Sequence, residues 1–157
     1  MMTIAHYGAA PQRAHVTDAG YDLTATNYLT LHPGNRGLAM TSLHISIPQG
    51  YAGLVVPRSG LALKHGVTVL NAPGVIDPGF TGEVGVILHN TDHNRSFIVY
   101  PGDRVAQLVL VKLEHPEFVQ AESLADLKIL ADQEIGARGD GGFGSTGVSA
   151  TPTARAA

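Results

Sequence analysis

The sequence predicts an all-β sandwich or barrel, on three observations. Glycine and proline are spread through the chain, 19 and 9 of them in 157 residues. Short apolar runs repeat with a period of two, and turn residues separate those runs at close intervals. Glycine makes up about 12% of the chain, 19 of 157, against roughly 7% in average proteins. Both residue types disfavour helix interiors, so a long helix or coiled coil is excluded. No glycine recurs at every third position, which excludes collagen. An apolar fraction of 44% with a net charge of −3 excludes disorder. Only 15% of residues are charged, below the usual ~25%, which points to surface buried against other subunits.

The strands follow in order. Residues 28–32 and 51–56 are apolar and aromatic runs between turns. Between them Leu43, Ile45 and Ile47 alternate with Ser42, His44 and Ser46, the pattern of a half-buried strand. Residues 67–70, 84–88 and 97–100 are short β-branched or aromatic runs. Residues 105–113 are apolar on both faces and read as a strand buried on both sides, inside the sandwich or at a subunit contact. Pro33-Gly34-Asn35, Pro48-Gln49-Gly50, Pro73-Gly74, Pro78-Gly79, Asn90-Thr91-Asp92 and Pro101-Gly102-Asp103 break the runs. One short helix is predicted over residues 123–130, with Leu124, Leu127 and Leu130 on one face. Six of the nineteen glycines lie between Gly136 and Gly147, and small or polar residues follow Val148. That segment cannot build a core and is expected to be mobile.

A chain of this length is expected to form one domain burying roughly 70% of its unfolded surface. With no cysteine, disulfides and thiolate metal sites are excluded, and a reducing cytoplasm suits the composition. The first residues lack a basic region followed by an apolar run, so no secretory signal is expected. No apolar stretch approaches the ~18 residues of a membrane span. Ten Lys+Arg against thirteen Asp+Glu argue against nucleic-acid binding, which needs a basic footprint. A small anion can still bind where a few arginines converge.

Four segments carry candidate chemistry. Val56-Pro57-Arg58-Ser59-Gly60-Leu61 is a turn after a strand, either a phosphate cradle or an ordinary turn with a surface arginine. Residues 71–83 place two Pro-Gly turns around Asp77, suiting a β-hairpin whose mouth receives a ligand. There Asn71 offers a donor and an acceptor for a base edge, and Asp77 either activates a water or caps the next turn. In Pro101-Gly102-Asp103-Arg104-Val105-Ala106-Gln107, Asp103 and Arg104 are expected to pair or brace the turn. Gln107 shares a face with Val105 and Val109 and needs a polar partner. Residues 138–147 combine glycines with Arg138, Phe143, Ser145 and Thr146, which fits either phosphate and base contacts or a plain flexible tail. The Gly-Lys-Ser/Thr ending of a P-loop is missing. No histidine pair has metal-ligand spacing, and no Gly-x-Ser-x-Gly elbow occurs.

Together and in this order, the segments resemble the trimeric dUTPase family. Ala19-Gly20-Tyr21-Asp22-Leu23 is similar to its first motif and Pro57-Arg58-Ser59-Gly60 to its second. Residues 71–82 are similar to the third, 101–108 to the fourth and 138–147 to the fifth. The resemblance implies a jelly-roll-like subunit of a homotrimer with active sites at subunit contacts. It implies a β domain over residues 1–137 and a flexible Gly-rich arm over 138–157. The implied reaction is hydrolysis of dUTP to dUMP and pyrophosphate, limiting uracil in DNA and supplying dUMP for thymidylate synthesis. Asp77 would deprotonate the water attacking the α-phosphorus. Magnesium would be held mainly by the triphosphate, with Asp22 contributing through water. Arg58, Ser59, Gly60 and Gln107 would hold phosphates. Asn71, Val75, Ile76 and Gly85 would line the nucleoside pocket. Phe80 would lie against the deoxyribose, standing where family members often carry Tyr. Arg138, Gly144, Ser145 and Thr146 would close over the γ-phosphate, with Phe143 stacked on uracil.

The related dCTP deaminases share the fold and a similar Ile76-Asp77-Pro78-Gly79-Phe80 segment. Their catalytic Glu aligns with Ile87, so this chain lacks that general acid/base, and a bifunctional enzyme is disfavoured for the same reason. A non-enzymatic nucleotide-binding regulator remains only as an added role, since Asp77 and the fifth motif are intact.

Overall fold

The structure, a computed structural model, describes residues 3–135. A first compact unit ends at His115 and a second begins at Pro116. In the first, one four-stranded sheet takes β1 (Ala5–Tyr7), β4 (Arg36–Ser46), β8 (Glu83–Asn90) and β6 (Val67–Val69), in that order. A second takes β2 (Tyr21–Thr24), β10 (Arg104–Lys112), β5 (Tyr51–Val56) and β7 (Gly74–Ile76). β3 (Leu29–Leu31) and β9 (Phe97–Val99) form a two-stranded ribbon. All pairings are antiparallel. The all-β expectation holds.

Alternation explains the core. On β4, Ala39, Thr41, Leu43 and Ile45 point inward, and on β8 Val84, Val86, Leu88 and Asn90 do so. The apolar ones share one cluster with Leu23, Val55, Ile76, Ala106 and Leu108 of the other sheet. Asn90 is fully buried and satisfied: its amide nitrogen donates to the carbonyls of Leu31 (3.0 Å) and Arg95 (2.8 Å), and its oxygen accepts from Asp92 N (3.0 Å). It ties β8 to the β3–β9 ribbon.

Each strand predicted from the sequence is present, and the structure adds β1, β2, β7 and the first half of β4. β1 is exposed throughout, and β2 and β7 are four and three residues long, too short to show a period. The segment after Pro57 is a helix rather than a turn: α1 (Ser59–His65), closed by Gly66 at φ 64°. Leu61 and Ala62 donate to the carbonyl of Arg58, the extended N-cap residue (both 3.1 Å). Seven residues containing Gly60 give no usable helical pattern. Residues 71–83 are no β-hairpin either. β7 pairs with β5 and β8 with β4 and β6, so residues 77–82 cross from one sheet to the other. β10 is not sandwiched on both faces within the subunit. Val105, Ala106 and Leu108 are buried, whereas Gln107, Val109 and Val111 are half-buried. A bulge between Arg104 and Ala106 breaks the alternation there.

In the second unit α2 (Leu124–Ile135) is longer than predicted. Ser123 starts it, its hydroxyl accepting from Asp126 N (3.1 Å). Leu124, Leu127 and Leu130 are all exposed. No helix among the described residues is long and apolar enough to cross a membrane.

Candidate active site

The crossing segment builds a cleft of about 180 Å³, lined by Asn71, Val75, Ile76, Asp77 and Phe80 together with Val55 and Gly85. β7 supplies Val75 and Ile76 through its register with Gly53 and Leu54 on β5. The Asp77 turn closes through the Phe80 amide, which donates to the Asp77 carbonyl (3.2 Å). The capping alternative for Asp77 is thereby decided. Its main chain closes the turn, and its exposed carboxylate has no hydrogen bond or ion pair among the described residues. Glu83, Val84 and Ile87 complete the lining. They lie on the strand after the motif, where regular alternation gave no sign of a site.

A second group forms where β2, β10 and β5 run side by side. Gln107 of β10 sits opposite Asp22 of β2 and Val56 of β5, so the strand register brings three distant segments together. Asp22 is buried between two guanidinium groups, with Arg58 Nε 3.2 Å from Oδ1 and Arg104 Nη1 3.2 Å from Oδ2. Arg58 also donates through Nη1 to the Arg104 carbonyl (2.9 Å). The Arg58–Oδ1 contact is an ion pair without hydrogen-bond alignment, and Oδ1 has no hydrogen-bond partner among the described residues. Arg104 therefore pairs with Asp22 and not with its neighbour. Asp103 braces the turn, accepting from Tyr100 N (2.9 Å). Gly20 leaves room for Gln107: a Cβ there would lie 3.2 Å from that side chain. Ser59 and Gly60 open α1, where the first amides of a helix have no ladder partner.

The sequence and the fold match known proteins. The dUTPase family model matches residues 6–147. The chain belongs to the dUTPase family. The deoxyuridine 5'-triphosphate nucleotidohydrolase of Leifsonia xyli is 44% identical over 141 residues, spanning 90% of this chain and 87% of the relative. That of Bifidobacterium longum is 47% identical over 136 residues, spanning 87% and 80%. A variant of the Staphylococcus bacteriophage 80alpha dUTPase, solved with dUpNHpp, superposes with a TM-score of 0.80 at 28% identity over 94% of this chain and all of that one. A variant of the S. aureus phage phi11 dUTPase, described with a structural Mg(II) ion, gives 0.72 at 27% identity over 78% of this chain and 99% of that one.

The dUTPase motifs thus fall into two groups. The third motif makes the cleft, and the first, second and fourth make the arginine cluster. None of Asp22, Arg58, Ser59, Gly60 or Gln107 lines the cleft. The fifth-motif residues Arg138, Phe143, Gly144, Ser145 and Thr146 lie outside the described residues. No cluster of three or more His, Asp or Glu among the described residues is arranged to hold a metal alone. A magnesium ion keeps several waters and binds through one or two carboxylates plus phosphate oxygens. Oδ1 of Asp22, ion-paired with Arg58 but without a hydrogen bond, fits a water-mediated share in such a shell, with substrate supplying most of the ligands.

Proposed function

We propose that this dUTPase hydrolyses dUTP to dUMP and pyrophosphate, in the cytoplasm, as a homotrimer whose sites are shared between subunits. One observation carries the reading: an unpaired carboxylate, Asp77, shares a small cleft with an amide that can read a base edge, Asn71, and an aromatic wall, Phe80. At about 180 Å³ the cleft is smaller than the roughly 300–1,000 Å³ of drug-sized sites. It suits a nucleoside and leaves the triphosphate outside. Val75, Ile76 and Gly85 close around the base, and the ring of Phe80 excludes a 2′-hydroxyl. Asp77, without a competing partner, takes the proton from the water attacking the α-phosphorus. Arg58, the Ser59 and Gly60 amides and Gln107 hold the phosphates. When bound, magnesium would supply charge neutralisation on the phosphoryl oxygens, and Asp22 would help to hold it through water. Arg138, Gly144, Ser145 and Thr146 of the arm over residues 138–157 cover the γ-phosphate, and Phe143 stacks on uracil. The reaction limits uracil in DNA by removing dUTP and supplies dUMP for thymidylate synthesis.

The separation of cleft and arginine cluster supports the trimer, since one subunit does not bring its own motifs into one pocket. An apolar strip supports it too. Leu38 and Ile87 pair across β4 and β8 with exposed side chains, and Leu70 and Val75 are exposed as well. Mixing an Asp77 variant with one lacking residues 138–157 is expected to restore activity neither has alone. Failure to restore it, with mixed trimers verified by mass, would overturn sharing between subunits.

The functional reading is tested by product analysis on dUTP, dCTP, dTTP and UTP, with and without magnesium. Pyrophosphate release from dUTP alone, dependent on magnesium, is expected. Ammonia release from dCTP would overturn the reading in favour of a deaminase. No stable binding of nucleic acid or membrane is expected.

A further inference from the structure

We propose that Glu83 is a positioning residue for sugar discrimination, acting through an irregularity of β4 rather than by touching substrate. This rests on reading Phe80 as the wall against the deoxyribose.

The β4–β8 ladder changes register in one place. Met40 pairs with Gly85, and the next pair is His44 with Glu83. Residues 41–43 of β4 thus face only Val84. Ser42 at the centre has φ 54°, the one positive φ at a non-glycine position among the described residues. Such a conformation persists only where its surroundings fix it. Here two side chains do so. Glu83 Oε1 accepts from Ser42 N at 2.7 Å. Thr41 Oγ1 donates to the Val84 carbonyl (2.5 Å) and accepts from Leu43 N (3.2 Å). One residue further, His44 Nδ1 lies 2.9 Å from the Thr81 carbonyl.

The β4 irregularity therefore holds residues 81, 83 and 84, the far end of the segment carrying Asp77 and Phe80. Between them lies Gly82. A Cβ at Gly82 would lie 2.8 Å from Phe80 Cζ and 3.0 Å from Cε2, so the ring rests directly on the Gly82 backbone. The position of the ring follows from Gly82, that of Gly82 from its clamped neighbours, and that of the clamp from Ser42. Bulges commonly re-aim side chains beside active sites. Glu83 lines the cleft as well, yet one of its oxygens is committed to Ser42 N.

The test compares E83Q, E83A, S42G and E83A/S42G with the full-length wild-type protein. The readouts are kcat/KM for dUTP and for UTP, and hydrogen exchange over residues 77–84. E83A is expected to lower the preference for dUTP over UTP by about ten- to a hundredfold, the scale of a misplacement near 1 Å. Exchange over 77–84 should rise with it. E83Q keeps an acceptor oxygen for Ser42 N and should keep the preference. Glycine at 42 adopts the left-handed backbone without a clamp, so E83A/S42G should regain it. The double variant also decides the matter if E83A alone folds poorly. An equal loss in E83Q and E83A that S42G does not rescue would overturn the proposal and assign Glu83 to direct substrate contact. Unchanged preference and exchange in E83A would overturn it as well. If wild-type protein does not hydrolyse dUTP, the functional reading fails by itself, and the exchange measurement still tests the clamp.

Discussion

Asp77→Asn is expected to bind a non-hydrolysable dUTP analogue about as tightly as wild type while turning dUTP over roughly 10²–10⁴-fold more slowly, the usual contribution of a positioned general base. Asparagine keeps the size and one acceptor of the carboxylate but cannot take a proton. The substitution should not disturb the fold, because the Asp77 side chain makes no hydrogen bond or ion pair among the described residues. Turn closure uses its main-chain carbonyl, which donors at Phe80 still reach at 3.2 Å. Calorimetry with the analogue and a steady-state assay separate the two effects. A near wild-type rate would show that another group is the base. A large loss of binding would show that Asp77 holds substrate rather than activating water.

Asp22→Ala is expected to damage stability and activity together. Removing one partner from a buried ion pair typically costs about 3–5 kcal/mol. Here the arginines are partly exposed, at 26% and 53% of their side chains, and water relieves much of their loss. A cost of about 1–3 kcal/mol is expected, lowering Tm by roughly 2–12 °C at this size. Arg58 would keep only its bond to the Arg104 carbonyl, and loss of its orientation is expected to reduce kcat/KM about 10–100-fold. Thermal melting and kinetics on one preparation check both. An unchanged Tm would mean that solvent already screens the cluster, and unchanged kinetics that Arg58 is held by other contacts.

Much of the fold was legible because alternation is a local signal. Leu43, Ile45 and Ile47 announced a strand, and the Pro-Gly turns marked where strands end. What escaped depends on distant partners. Three-residue strands such as β7 exist only because β5 offers them a ladder, and α1 is held at its start by the carbonyl of an extended Arg58. The resemblance points to Asn71, Val75, Ile76, Asp77, Phe80 and Gly85, and these meet in one cleft. Of the two alternatives for Asp103 and Arg104, bracing the turn is the one the structure shows, and Arg104 finds its carboxylate in Asp22 instead. The strand register that delivers Asp22 to it spans 82 positions, which no local pattern reveals. Glu83 and Thr41 were missed because their partners are main-chain groups on another strand.

The carboxylate between Arg58 and Arg104 also shapes how an anion arrives. A chain with net charge −3, in which Arg58 and Arg104 already face a negative group, presents no strong positive field at a distance. Attraction across more than a Debye length, about 8 Å at physiological salt, is weak. Encounter is then left to ordinary diffusion, and choice among nucleotides is made on contact, by shape and hydrogen bonds. On the proposed function, such a site would not gather polyphosphates indiscriminately and would select the one whose base and sugar fit.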